Sequence, residues 1–328
     1  MHHLKRLLRR TRLGHLALAL LVAACAPVAF AQEKITRIVV AFPPGGPVDF
    51  VARAMSEQLG KELGQQVIVE NKAGANGTIA AEYVARAAPD AQTLWLTSVG
   101  AVAINPSLYD KLPYDPVKDL TPVSLVVRNV EVMVVGADAP YATGAEFVAA
   151  AKRSKQPLTM ASTGTGSVPH LALELLSDAT GTPLLHVPYK GAAPAIADVV
   201  AGHVDGFFGD IPGLIGLIRG GKLKAIGLAA PKRHPLLPDV KTFEEMGIHG
   251  VDSDNWYAIF AARGTPAADV ARMNQALRRT LETPSVKTRL AESGAEPAPS
   301  SPAELAALLK KDSAKWSAIV RAKNIKAD

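Results

Sequence analysis

Apolar residues run almost unbroken from Ile35 to Phe42, the pattern of a strand buried on both faces of a parallel sheet. Past Pro43-Pro44-Gly45-Gly46 the rhythm changes. Val48, Val51, Met55 and Leu59 recur every three or four residues, which predicts an amphipathic helix. Val67 to Val69 reads as the next short strand, Asn71 to Gly77 as a glycine-bearing turn, Thr78 to Ala87 as a helix and Thr93 to Ser98 as a third strand. A β-α-β-α-β order of this kind gives parallel strands joined by right-handed crossovers.

A second series begins near residue 130. Glu131 to Val135, Leu158 to Ser162, Leu184 to Pro188, Val204 to Phe208 and Leu223 to Leu228 have strand patterns, with helical stretches at Ala145 to Arg153, His170 to Ala179 and Ala193 to Val200. One more strand, Trp256 to Phe260, precedes a helical tail from Pro266 onward. The last helix, Pro302 to Lys323, gathers Leu305, Leu308, Leu309 and Trp316 largely on one face. Two α/β units with a helical tail predict an α/β fold of two lobes, each a mostly parallel sheet flanked by helices, with a ligand cleft between them. We expect the tail to pack back on the first lobe. That lobe is then discontinuous, residues 32–128 and 252–328, and the second spans 129–251.

The first residues change the reading of charge. Lys5, Arg6, Arg9, Arg10 and Arg12 precede an apolar stretch from Leu16 to Phe30, which ends in Ala29-Phe30-Ala31. This is the plan of a secretory signal peptide spanning residues 1–31, and the apolar run is shorter than the roughly 18 residues of a spanning helix. Val22-Ala23-Ala24-Cys25 offers an alternative, a lipobox with a lipidated Cys25. Cys25 is the single cysteine, so cleavage after Ala31 leaves no thiol and no disulfide. Most of the formal charge of +6 lies in those five residues. The remainder is nearly neutral and gives no basic stripe for nucleic acid.

In open sheets ligands sit beyond the carboxyl ends of the strands, and the glycines and small polar residues gather there. The candidate ligand contacts are Phe42, Gly45, Gly46, Pro47 and Asp49 after the first strand, and Gly74, Ala75, Asn76 and Gly77 after the second. Ser98 follows the third, and the second lobe adds Ser162, Thr163, Gly166, Ser167, Tyr189 and Asp210. Glycine lets a backbone approach a ligand closely, and free N–H groups at helix starts favour an anion. The plain alternative is that these are turns and caps, with Asp49 and Ser167 as N-caps.

Enzyme patterns fail on inspection. No glycine loop runs into Gly-Lys-Ser/Thr, and Gly164-Thr165-Gly166 meets Pro169 where a dinucleotide fingerprint needs glycine. Ser167, His170 or His186, and Asp210 supply hydrolase residue types without a Gly-x-Ser-x-Gly elbow. His170, His186, His203, His234 and His249 are scattered, with no metal-binding spacing. No catalytic residue, cofactor or metal is expected, and His186 reads as a hydrogen-bonded core histidine.

The segments VVAFPPGGPVDFVAR, NKAGANGTIAA, INPSLYDKLPYDPVKDLTPVSLV, ASTGTGSVPHLALELL, HVPYKGAAPAIADVVAGHVDGFF and GKLKAIGLAAPKRHPLLPDVKTFEEMG resemble the Bug-type solute-binding proteins of tripartite tricarboxylate transporters. The resemblance covers essentially all of the chain after the leader. It implies a periplasmic, monomeric, two-lobed receptor that closes over a small carboxylated solute and partners membrane permease subunits or, alternatively, a sensor protein. Family ligands include di- and tricarboxylates, acidic amino acids, aromatic carboxylates and some amides. The family's carboxylate-holding loops correspond to Phe42 through Asp49 and Gly74 through Gly77, with the Ser162-to-Ser167 turn and Asp210 from the second lobe. Two departures stand out: Pro47, where a small hydroxylated residue is common, and Asp90-Ala91-Gln92-Thr93-Leu94, where Asp-Gly-Tyr-Thr-Leu is common. The first leaves the usual dicarboxylate assignment open.

Overall fold

The structure, a computed structural model, describes residues 34–326. The leader, its cleavage site and Cys25 lie outside the described residues. Among the described residues no helix is long and apolar enough to cross a membrane.

The chain builds two sheets. The first has six strands in the order β11-β4-β10-β3-β1-β2: β1 is Ile35–Val40, β2 Gln66–Asn71, β3 Thr93–Ser98, β4 Leu120–Asn129, β10 Asn255–Ala262 and β11 Glu296–Pro297. The second has five in the order β7-β6-β8-β5-β9, formed by β5 Glu131–Gly136, β6 Leu158–Ser162, β7 Leu184–Pro188, β8 Gly206–Asp210 and β9 Leu223–Leu228. The crossovers read from the sequence give parallel pairs, β1 with β2 and β3, and β6 with β7 and β8. The rest is antiparallel: β10 pairs with β3 and β4, β11 with β4, and β5 with β8 and β9. Both sheets are therefore mixed: β10 in the first and β5 in the second run against their neighbours, because each enters its sheet at the carboxyl ends of the parallel strands after the chain crosses from the other sheet. Val130 alone separates β4 from β5, and the chain returns between Leu228 and Asn255.

The sequence pattern missed β4 and the Ile211–Arg219 helix. In β4 the strand is buried on both faces, so it shows no alternation to read; only Thr121, Pro122 and Arg128 are part-exposed. The region from Gly100 to Leu108, a wide π turn running into a short helix, was also unread.

The first sheet buries a core on each face. Ile38 and Val40 of β1 meet Val51, Met55 and Leu59 of the Pro47–Leu63 helix, at the helical spacing seen in the sequence. On the opposite face Val39 and Trp95 pack with Trp256, Leu305, Leu309 and Trp316. The helical tail thus lies on the first lobe. Its final helix, Pro302–Ala322, starts with a Ser301/Glu304 capping box and proline at its first turn, which satisfies otherwise orphan N–H groups. Trp256 Nε1 donates to Asp312 Oδ2 at 2.7 Å and pins the helix to β10. In the second sheet Met133, Met160, Phe208 and Phe243 fill one face, and Val132, Val134, Phe207 and Leu214 the other.

Candidate functional site

The carboxyl ends of β1, β3, β6 and β8 and the first residues of β10 face a common cleft. Its inner compartment, of about 60 Å³, is lined by residues from both lobes: Phe42, Gly46, Pro47, Asn76 and Ser98 from the first, and Thr163, Ser167, Ala192, Phe207 and Asp210 from the second, with Asn255 and Tyr257 at the strand that returns. That volume holds several waters, or one end of a small solute. A wider outer compartment of about 690 Å³ opens beside it, lined by Gly74 to Gly77, Thr163 to Thr165 and Tyr189 to Gly191. Phe42, Pro43, Asn76 and Thr163 border both.

Four helices begin at the inner compartment: Pro47–Leu63, Val168–Thr180, Ala192–Val200 and Ile211–Arg219. The first N–H groups of a helix have no partner within it, and the aligned peptide dipoles add partial positive charge there. No lysine or arginine is among the lining residues of that compartment. What favours an anion there is backbone alone, the arrangement that receives a carboxylate or phosphate, while Asp210 adds an acid to the lining.

Local sequence explains each start. Pro47 takes the first helical position, where a missing N–H costs nothing. Pro47 withholds an N–H from the cleft, and its ring becomes cleft wall close to Gly213, where an added Cβ would lie 3.4 Å from Pro47 Cδ. Ser167 is an N-cap, its hydroxyl accepting from the His170 N–H at 3.4 Å. Asp49 is not a cap: Gly46 holds that position. Asp49 lies one turn inside, 3% exposed, because its side chain folds back on the preceding loop. Oδ2 accepts from the Gly45 N–H at 3.0 Å and from Arg53 Nε at 2.9 Å, and Oδ1 from Asn71 Nδ2 at 2.9 Å. Asn71 Nδ2 also reaches the Phe42 carbonyl at 3.0 Å. Burial opposes the charge on Asp49, but the hydrogen bonds from Arg53, Gly45 and Asn71 and the Arg53 charge outweigh it and hold the carboxyl below its ordinary value.

The second loop takes the left-handed region at four successive residues, Gly74 to Gly77, two of them not glycine (Ala75 φ 45°, Asn76 φ 46°). Such backbone is costly and needs surrounding support. Asn76 supplies it: Nδ2 donates to Asn105 Oδ1 at 2.8 Å, and Asn105 Nδ2 returns to the Asn76 carbonyl at 3.1 Å. Asn76 Nδ2 also reaches the Gly166 carbonyl across the cleft at 3.2 Å. Gly166 itself, at φ 75°, faces Leu108 so closely that a Cβ would lie 2.1 Å from it.

Of the expected contacts, Phe42, Gly46, Pro47, Asn76, Ser98, Thr163, Ser167 and Asp210 meet at the inner compartment. Gly74, Ala75, Gly77 and Tyr189 line the outer one. Gly45 lines a side groove with Gly46 and Pro47. Asp49, Ser162 and Gly166 line none of these. Ser162 is fully buried, with Oγ 2.6 Å from His186 Nε2. His170 stacks on His186 with ring centroids 3.7 Å apart, and burial, then the neighbouring His186, pushes its pKa down to about 3. His170 Nδ1 accepts from the Gly166 N–H at 3.0 Å. The serine and histidine residues that suggested hydrolysis are thus cap and loop supports. Among the described residues no three His, Cys, Asp or Glu side chains gather to hold a metal.

Sequence reasoning missed the floor of the cleft. Asn255 and Tyr257 alternate onto one face of β10, and both reach Asp210: Asn255 Nδ2 lies 2.9 Å from Oδ1 and 3.0 Å from Oδ2, and the Tyr257 hydroxyl donates to Oδ2. Glu131 pairs with Asp210 across β5 and β8. The signal available was the period-two placement of two polar-tipped residues in an otherwise apolar strand.

Two α/β lobes joined by crossing strands around a cleft of helix starts define a periplasmic binding protein of the two-lobed kind. The chain belongs to the tripartite tricarboxylate transporter receptor family, TctC, whose description matches residues 51–325; members are receptors, not enzymes. It is similar to solved structures of the same kind. The periplasmic binding protein BugD is 33% identical, with TM-score 0.85 over 90% of this chain and 100% of that one. MatC from Rhodopseudomonas palustris, solved with bound malate, is 36% identical with TM-score 0.82 over 90% and 99%. A second R. palustris protein, solved with adipate, is 30% identical with TM-score 0.87 over 91% and 100%.

Proposed function

We propose that this chain is an extracytoplasmic receptor that captures a small carboxylated solute between its lobes and delivers it to the membrane subunits of a tripartite tricarboxylate-type uptake system. The observation that carries the reading is the convergence of four helix starts on one small compartment that has no basic side chain. Such a site stabilises a carboxylate by backbone N–H groups and dipoles and offers nothing for turnover. The malate and adipate bound by the two R. palustris relatives support the same class of ligand here. Export across the inner membrane by the residue 1–31 leader, and residence in the periplasm, fit relatives described as periplasmic.

We assign the solute contacts to Phe42, Gly46, Pro47, Asn76, Ser98, Thr163, Ser167 and Asp210, with Asn255 and Tyr257 added. The lobes move as two bodies, one carrying β1–β4, β10 and the tail, the other β5–β9, with hinges at Val130 and between Leu228 and Asn255. A thermal-shift screen against carboxylates, amino acids and amides tests the reading. Binding to the native state alone adds about 2.7 kcal/mol at a hundredfold excess over Kd, and EDTA should leave that shift unchanged. A shift seen only with a divalent ion, or with no carboxylate at all, would refute it.

A further inference from the structure

The cleft floor carries more negative charge than a receptor for dianions should tolerate. Glu131 is fully buried, and neither of its oxygens accepts a hydrogen bond of normal geometry among the described residues. It stands directly opposite Asp210, whose own side chain lines the inner compartment. Two carboxyl groups this close and this buried do not both ionise; one of them keeps its proton. Burial, and then the Asp210 charge, drive Glu131 well above its usual range, and burial raises Asp210 too, against the hydrogen bonds from Tyr257 and Asn255.

Hydrogen-bond supply makes the same point independently. Four carboxyl oxygens offer about eight acceptor sites. The side-chain donors are the Asn255 amide and the Tyr257 hydroxyl, both on Asp210, with the Asn255 amide also favouring the charged form of Glu131, and the one proton that the pair keeps. The cluster is short of donors, and the compartment is the side on which Asp210 opens to a solute. The helix starts on the other walls add N–H groups and dipoles that favour an anion. The compartment therefore has a wall that wants an anion and a floor that wants a donor.

We propose that Asp210, backed by Glu131, is a specificity element that selects carboxylates whose second polar group is a hydrogen-bond donor without negative charge (a hydroxyl, ammonium or amide N–H) and rejects dicarboxylates. The inference rests on the carboxylate-receptor reading above and narrows it. The carboxylate lies against the Pro47 and Val168 helix starts. The donor lies on Asp210, where it fills the acceptor that the protein leaves open. A second carboxylate at that place meets a buried negative charge and finds no arginine or lysine to offset it.

Matched pairs of equal length test this by calorimetric titration of the full chain at pH 7: succinate against 4-hydroxybutyrate and 4-aminobutyrate, adipate against 6-hydroxyhexanoate and 6-aminohexanoate, and terephthalate against 4-(aminomethyl)benzoate. In at least one series the donor-ended compound should bind about tenfold or more tighter than its diacid, the scale at which unpaired buried polar groups discriminate. Asp210→Asn, and Asp210→Ser as a second variant should the first fold poorly, should bring that ratio to about twofold or less, mainly by tighter diacid binding. A diacid that binds the parent protein as tightly as its donor-ended partners, or a ratio unmoved in folded variants, overturns the inference and leaves the carboxylate receptor standing. No binding by any member of any series would instead overturn both.

Discussion

Asp49→Ala is expected to loosen the first cleft loop while leaving the fold intact. The carboxylate ties three groups together: the Gly45 N–H, the Asn71 amide and the Arg53 guanidinium. The Arg53 side chain is 51% exposed, so its ion pair contributes only a few tenths of a kcal/mol. Gly45 is exposed and its N–H regains water on truncation, which limits that loss too. The Asn71 bond is charge-assisted and part-buried, and its removal costs about 1–1.5 kcal/mol. The total is about 1–2 kcal/mol, or roughly 2–3 °C in Tm for a chain of this size. Binding should weaken about tenfold, because Gly46 and Pro47 line the compartment and lose their anchor. Asp49→Asn keeps one acceptor and should fall between. The pH sign follows from the lowered carboxyl: its stabilisation is present above the unfolded-state value and is lost as pH falls through the folded one. Melting curves of parent and Asp49→Ala should therefore converge in acid. Equal Tm and equal affinity at pH 7 would refute the reasoning, as would a difference that grows on acidification.

Other expectations follow from the same contacts. Gly46→Val places two methyl groups at the cleft wall, where the nearest atom to a new Cβ is the Pro43 carbonyl at 3.5 Å; the protein should fold, with circular dichroism unchanged, and lose binding in calorimetry. Gly166→Ala adds a Cβ 2.1 Å from Leu108 at φ 75°, so it should cost more than about 1 kcal/mol in melting and weaken binding further by holding the lobes apart. Asp312→Ala leaves the buried Trp256 Nε1 without its acceptor and should lower stability by about 1–3 kcal/mol in denaturant titration, with solute affinity nearly unchanged. Glu131→Gln should raise stability more at pH 8 than at pH 5: burial and then Asp210 raise the folded carboxyl above its unfolded value, so the parent loses stability as pH climbs through that window.

The two-sheet plan was legible because its strands alternate with helices whose apolar spacing is unambiguous. Val51, Met55 and Leu59 land on the β1 face as their spacing requires, and Leu305, Leu309 and Trp316 bury together as the tail pattern predicted. Glycine-rich strand ends pointed to loops that meet at one cleft, since eight of the expected contacts line the inner compartment. What stayed hidden depends on partners distant in sequence. Asp49 sits where a capping acid would, but its hydrogen bonds go to Gly45 and to Asn71, and only the folded loop brings Asn71 there. Asn255, Tyr257 and Glu131 lie on strands that pass between lobes, and their convergence on Asp210 is set by strand register, which local pattern does not encode. β4 was missed for a simpler reason: a strand buried on both faces has no polar alternation to read.

The central claim is that a backbone-lined cleft holds a carboxylate reversibly. Isothermal titration in EDTA, with the solute recovered and quantified afterwards, tests it directly. The account predicts saturable one-site binding of at least one small carboxylate, full recovery of that compound, and loss of the signal in folded Gly46→Val. Heat that persists in Gly46→Val, consumption of the solute, or no response to any carboxylate would contradict it.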